Sequence, residues 1–323
     1  MKGRKATCIS AALGMLVLIL DSKNSIAAAS QGVEICIRTV IPSLFPFFVL
    51  SILLTGSMGS TSALVPLEKL FRSRGCATIL ITGLLGGYPV GAQAAAQGYS
   101  SNQLSQAQAH RLIMFCSQAG PSFLFGMAAS QFPEGKYAWL LWLVQILSAL
   151  CTARMIPAPE REKTTKAQVS SITLSQAMKK AVSAMASVCG WVVLFRVILD
   201  FLQRFVFFPF PKSIIILLSG LLELTNGCLL LSEIPDVALR FLWAALMLNF
   251  GGLCVMMQTS SVIEGLKLKY YIRGKLLQTL FSLLFSLAFL GFYAALMPVL
   301  ILLFLPYGRI LRKNSSIPAA HGV

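Results

Sequence analysis

Apolar stretches separated by short polar loops recur along the chain, at residues 8–20, 40–54, 137–151, 188–202, 213–231, 241–257 and 276–305. A helix needs about 20 predominantly apolar residues to cross roughly 30 Å of hydrocarbon, and several of these windows approach or exceed that length. The pattern predicts an all-α fold, a polytopic helical membrane protein. Two stretches carry the same kind of interruption: Gly83-Leu84-Leu85-Gly86-Gly87-Tyr88-Pro89-Val90-Gly91 and Gly220-Leu221-Leu222-Glu223-Leu224-Thr225-Asn226-Gly227. Each is followed by a second break of small residues, Ala119-Gly120-Pro121-Ser122 in the first half and Gly251-Gly252 in the second. An unpaired backbone amide or carbonyl is expensive in lipid, so non-helical backbone persists there only where protein buries it or a cavity adjoins it. Corresponding breaks in two halves are a sequence-level pointer to a transporter binding site. The expectation is two inverted repeats, each with a re-entrant helical hairpin and a broken transmembrane helix.

Charge gives the topology. Basic residues cluster at Lys2/Arg4/Lys5, Lys69/Arg72/Arg74, residues 154–180, Lys267/Lys269/Arg273/Lys275 and Arg309/Arg312/Lys313, and the positive-inside rule puts such clusters on the cytoplasmic face. The first stretch then leaves the cytoplasm and a second returns through residues 42–54. The hairpin at 77–96 opens inward, a helix from Gln106 crosses outward, and 137–151 returns to a basic, proline-containing linker. From residue 181 the chain crosses outward again, the hairpin at 213–231 opens outward, and 241–257 returns to a basic loop at 267–275. Ser105 with Gln108 and Thr173 with Gln176 fit capping boxes, so helices should start near Gln106 and Leu174. Segment 276–305 is long for one crossing, and Pro298 is its candidate bend, which would keep the tail inside. The organisation is an N-terminal membrane segment at 1–25, a first repeat at 26–153, a linker at 154–172, a second repeat at 173–275, and a C-terminal membrane segment with polar tail at 276–323. The first segment reads as retained, because polar Asp21-Ser22-Lys23-Asn24-Ser25 separates its apolar run from Ala27-Ala28-Ala29-Ser30.

Composition supports the class and removes others. The 323 residues are 56% hydrophobic and 12% charged, where soluble domains are nearer a quarter charged. A net charge of +16 raises nucleic acid as a partner, but the basic residues form loop clusters rather than one patch interleaved with aromatics. Eight scattered cysteines and two histidines offer neither a disulfide framework nor a metal site. No nucleophile with a base and an orienting group is visible, so neither an enzyme nor a cofactor is expected.

The candidate chemistry lies at the breaks. Glu223 is the acid within the second hairpin, and a carboxylate at membrane depth is a functional candidate by default. With Thr225 and Asn226 it offers oxygen ligands to a coupling ion (proton or sodium) or a hydrogen-bonding edge to a substrate. The plainer role is to satisfy backbone amides of its own hairpin. Gly87, Tyr88, Pro89 and Gly91 make a donor-exposing turn, with Gln93 on the returning arm. Ser117, Gln118 and Ser122 surround Gly120 and Pro121, where the proline removes an amide donor and frees carbonyls. Asn249 precedes Gly251 and Gly252, and Gln258 lies beyond them; close helix packing explains those glycines equally well. Arg196 and Asp200 are spaced to pair on one helix face, as are Glu34 and Arg38. The alternative is that Asp200 releases Arg196 to an anionic substrate.

The strings Pro42-Ser43-Leu44-Phe45-Pro46-Phe47-Phe48, Gly87-Tyr88-Pro89-Val90-Gly91-Ala92-Gln93 and residues 111–126, ending in Ala119-Gly120-Pro121-Ser122-Phe123-Leu124-Phe125-Gly126, occur in that order. Together with the second-half motifs they resemble YlbJ/SpoVV-type sporulation integral membrane proteins, which contain the nucleoside-transporter/FeoB Gate domain. The resemblance covers residues 26 to 275. It implies a transporter architecture of two inverted Gate repeats and a sporulation role, with dipicolinic acid as cargo at the outer forespore membrane. Two departures bear on cargo: Val90 and Gln93 stand where the family usually has Ser and Lys, and Ser117-Gln118 replaces an Asn pair. The expected function is a secondary transporter of a small anionic or polar metabolite, working by alternating access in the lipid bilayer. The competing readings are a nucleoside-type transporter and a non-transporting Gate subunit that assembles with a second copy or another membrane protein.

Overall fold

The computed structural model describes residues 2–57, 65–73, 76–159 and 172–299, which form helices and connecting turns without a strand. α1 (Lys2–Leu20) runs into α2 (Ser22–Ile35) through the single turn residue Asp21. The Asp21 amide donates to Val17 O and the Ser25 amide to Asp21 O, both at 2.9 Å. The chain therefore does not double back between the first two apolar stretches, as a pair of separate crossings would require. α2 continues through a π-helical turn at Cys36–Val40 into α3 (Ile41–Ser57). After α4 (Val65–Phe71), α5 (Ala77–Gly86) and α6 (Val90–Ser100) form the first hairpin. Gly87 turns between them at φ +77°, a left-handed value that favours glycine.

Both capping boxes form, starting α7 (Gln106–Ile113) at Ser105 and α10 (Leu174–Phe205) at Thr173. α7 stops within eight residues. Irregular chain follows to Gly120, and Pro121 then opens the short α8 (Pro121–Phe123), its missing amide costing nothing at a helix start. A π-helical turn, Leu124–Ala128, leads to α9 (Lys136–Met155). In the second half α11 (Lys212–Leu222) and α12 (Leu224–Leu229) form the other hairpin, turning at an extended Glu223. α13 (Val237–Phe250) and α14 (Gly252–Val262) are one helix broken at Gly251 and Gly252, with φ of +84° and +78°. α15 (Leu268–Phe289) ends at Gly291, φ +100°. The bend thus falls before Pro298, the expected position, because glycine accepts the left-handed backbone that closes a helix. α15 also runs unbroken through residue 275, so the proposed edge of the second repeat lies inside a helix. Residues 160–171 of the linker and the basic cluster near Arg309 lie outside the described residues.

Among the described residues, five helical stretches are long and apolar enough to cross a membrane: Ser22–Leu50, Lys136–Met155, Leu174–Phe205, Val237–Val262 and Leu268–Phe289. Large apolar side chains such as Trp139, Leu194 and Leu276 stand at least half exposed on their outer faces. In water such a surface would be an interaction site, and here it suits lipid.

Side-chain contacts define two ends. At one, Arg111 spends its guanidinium on main-chain carbonyls of Phe71, Arg72, Ala153 and Ile156 and on the Ser73 hydroxyl, while His110 accepts from the Lys267 amide at 3.0 Å. At the other, Arg240 donates to Gln131, Ser232 and Ile234 carbonyls, and Lys212 pairs with Glu233 at 2.9 Å. α5 and α6 open toward the first end, and α11 and α12 toward the second. The core lies between, where α10 packs on α2 and α3, and α15 on α9 and α13.

Candidate binding site at the two hairpin tips

Each hairpin closes on glycines. Gly83 and Gly91 face each other across α5 and α6, and a Cβ on Gly91 would come within 2.7 Å of Gly83 Cα. Gly220 and Gly227 do the same across α11 and α12, against Met247 of α13. The tips rest on the helix breaks: a Cβ on Gly87 would lie 2.8 Å from Gly120 N, and one on Gly252 3.0 Å from Gly220 O. Close backbone contact brings the two irregular regions of each half together.

Between them lies a cavity of about 40 Å³, lined by Tyr88, Ala119 and Gly120 from the first half, Glu223, Leu224, Thr225 and Gln258 from the second, and apolar side chains of α3 and α10. One water needs about 10–15 Å³ on this measure, so the cavity is closed to a metabolite in this conformation. Glu223 is 2% exposed. Its Oε2 accepts from the Asn226 amide and from Asn226 Nδ2, each at 2.7 Å. The carboxylate therefore caps α12, the plainer of its two expected roles, while still walling the cavity.

Beyond α12 is a wider recess of about 410 Å³, lined by Gln31, Glu34, Arg38, Arg196, Gln203 and Asn226 among others. Asn226 faces this recess while its neighbour Thr225 faces the cavity, so the second tip is the partition between them. The expected pairing of Arg196 with Asp200 does not form. Arg196 donates through Nε and Nη2 to Gln31 Oε1 at 3.2 and 2.7 Å. Asp200 instead pairs with Arg204 at 2.8 Å, and Arg204 also reaches Asp21. Glu34 and Arg38 do pair, at 3.0 Å, on an exposed face.

The remaining expected residues spread around this centre. Ser117, Gln118 and Asn249 are buried at the two breaks, and Ser117 Oγ, Gln118 Oε1 and Asn249 Oδ1 have no hydrogen-bond partner among the described residues. Gln118 Nε2 donates to Phe115 O, and Asn249 Nδ2 to Ala245 O and Ser282 Oγ. Gly251 packs under the Tyr88 ring. Pro89 and Gly91 are buried in the first hairpin behind its tip. Gln93 and Ser122 are half-buried and do not line the cavity.

Sequence reasoning missed Lys275. Counted among loop charges, it is fully buried on α15. Its Nζ donates to the Tyr88 hydroxyl at 3.0 Å, to Gln278 Oε1 at 2.8 Å and to the Ser117 carbonyl. The Tyr88 hydroxyl in turn donates to Leu248 O at 2.9 Å, so one polar knot ties the first tip to both helix breaks. The overlooked signal is periodic. Tyr271, Lys275, Gln278, Ser282 and Ser286 recur at helical spacing on one face of α15, all buried. Gln145, Ser148 and Thr152 make a similar buried face on α9, and Gln145 Nε2 donates to Ala119 O at 2.9 Å.

The sporulation integral membrane protein YlbJ of Bacillus subtilis (strain 168) is 28% identical to this chain, over 83% of the chain and 78% of its own length. No family model matches the chain, so the Gate-domain part of the resemblance has no match behind it. No solved structure matches it either.

Proposed function

We propose, from the premise that this is an integral membrane protein of the YlbJ type, that it is a secondary transporter of a small anionic or polar metabolite. The observation that carries this reading is the convergence on one closed cavity of both hairpin tips, the first helix break and, through Val255 and Gln258, the helix that follows the second break. An inverted repeat is supported by crosswise packing. α13 meets α9 as α7 meets α15, and α6 meets α14 as α12 meets the turn after α8. Lys69, Arg72, Arg154 and Lys267 gather at the end where the first hairpin opens, which favours that end as cytoplasmic. The second tip, standing between recess and cavity, is the natural gate for alternating access. With Arg38 paired to Glu34, Arg196 is the recess cation without an ion pair among the described residues and favours an anion, and dipicolinate is the cargo implied by the YlbJ-type resemblance, in a sporulation setting like that named for the relative.

The test is exchange of labelled pyridine-2,6-dicarboxylate by purified protein in liposomes, with labelled uridine as comparison. Glu223→Ala and Asn226→Ala should each slow exchange about tenfold or more, because a buried hydrogen-bond partner is worth about 1–3 kcal/mol. Wild-type rates in both inserted variants would remove the site. One observation favours a second reading, a non-transporting subunit: Glu223 is spent on capping α12. A strict need for another membrane protein in the same assay would support it.

A further inference from the structure

A fixed ammonium group sits where the two broken helices meet. Lys275 Nζ collects three oxygens from three elements: the Ser117 carbonyl freed by the break after α7, the Tyr88 hydroxyl of the first tip, and Gln278 Oε1 of its own helix. The Tyr88 ring lies 4.7 Å away and the Tyr271 ring 5.7 Å. Freed carbonyls and side-chain oxygens at a helix break are the donor set that broken-helix transporters offer to a coupling cation. Here that position is filled by a covalently attached cation.

The surroundings do not neutralise it. The titratable groups facing Nζ are the Tyr88 hydroxyl on the first tip, the Cys116 thiol in the break after α7, and Tyr271 on α15. Lys275 makes no ion pair among the described residues, where salt bridges elsewhere are on exposed or half-buried side chains. A buried charge with no counter-charge is costly, and losing one proton removes that cost without moving any backbone. A second observation extends the site along the helix. Among the described residues, Gln278 Nε2 and Ser286 Oγ on the same buried face have no hydrogen-bond partner, nor do Ser117 Oγ and Gln118 Oε1 at the first break and Gln145 Oε1 on α9. Such groups are the ones that relay a proton through ordered water.

We propose that Lys275 is a proton-binding site and that the proton, not sodium, is the coupling ion. This rests on the transporter reading above. In each cycle the Nζ lone pair takes a proton from water on one side, and the N–H bond later breaks to return it to water on the other. Tyr88 is the positioning residue that conveys the change, since its hydroxyl touches Nζ while its ring walls the cavity.

Two measurements on the full-length chain test the proposal. Thermal unfolding in detergent, followed from pH 6 to pH 9, should show a change in midpoint that is the same in sodium and choline chloride. Lys275→Arg keeps a donor and a charge but does not deprotonate in this range, so it should lose that pH step while remaining folded. Lys275→Met serves if the arginine is too large. A step that persists in these folded variants, or a midpoint that rises with sodium in the wild type, would overturn the assignment. In liposomes that exchange pyridine-2,6-dicarboxylate, a pH gradient should drive net accumulation and a sodium gradient should not. Accumulation driven by sodium overturns the coupling while leaving transport intact. Absence of any exchange removes transport, and the unfolding experiment then decides Lys275 alone.

Discussion

The Tyr88 hydroxyl accepts from Lys275 and donates to Leu248 O, while its ring closes one wall of the cavity. Removing the oxygen leaves a buried ammonium and a helix-end carbonyl each short of a partner. Tyr88→Phe should therefore destabilise the protein by about 1–3 kcal/mol, seen as a lower unfolding midpoint in detergent, although the ring still fits. Pairing choices at this scale were beyond the sequence. Asp200 stands four residues from both Arg196 and Arg204, so spacing permits either pair. Asp21 at the turn before α2 and Gln31 on α2 decide the matter, drawing Arg204 and Arg196 apart.

At the scale of elements, the hairpins hold because backbone meets backbone. Gly227 packs against Gly220 and Met247 with no room for a methyl group, whereas Gly190 on α10 has open space around its Cβ position. Gly227→Ala should cost about 1–3 kcal/mol through overpacking. Gly190→Ala should stabilise α10 by up to about 1 kcal/mol through helix propensity. Comparing the two variants by thermal unfolding checks this, and equal effects would mean that the hairpin arms are not in contact. The hairpins and breaks were legible in sequence because glycine and proline mark, residue by residue, where helical hydrogen bonding stops. Lys275 was not, because a lysine two residues from Arg273 and six from Lys269 reads as one more loop charge.

Across the whole molecule, α5 with α6 and α11 with α12 reach the cavity from opposite ends. A cysteine placed at Ser100, where α6 ends, and one at Lys212, where α11 begins, should react with an impermeant thiol reagent from opposite sides of the membrane. Labelling of both from one side would rule out the inverted arrangement. Contacts cross between the halves, α7 against α15 and α13 against α9, beside the packing of α13 on α15 within its own half.

The sequence by itself determined the membrane class, the helix starts at Gln106 and Leu174, and the positions of both hairpins and both breaks. These follow from local terms: apolar length against bilayer thickness, capping chemistry, and the backbone freedom of glycine. Only the tertiary structure decided which residues face one another. It put Tyr88, Gly120, Glu223 and Gln258 around one cavity and turned Lys275 from a loop charge into the centre of a polar knot. Burial and partner choice depend on neighbours a hundred or more residues away, and only chain packing brings those together.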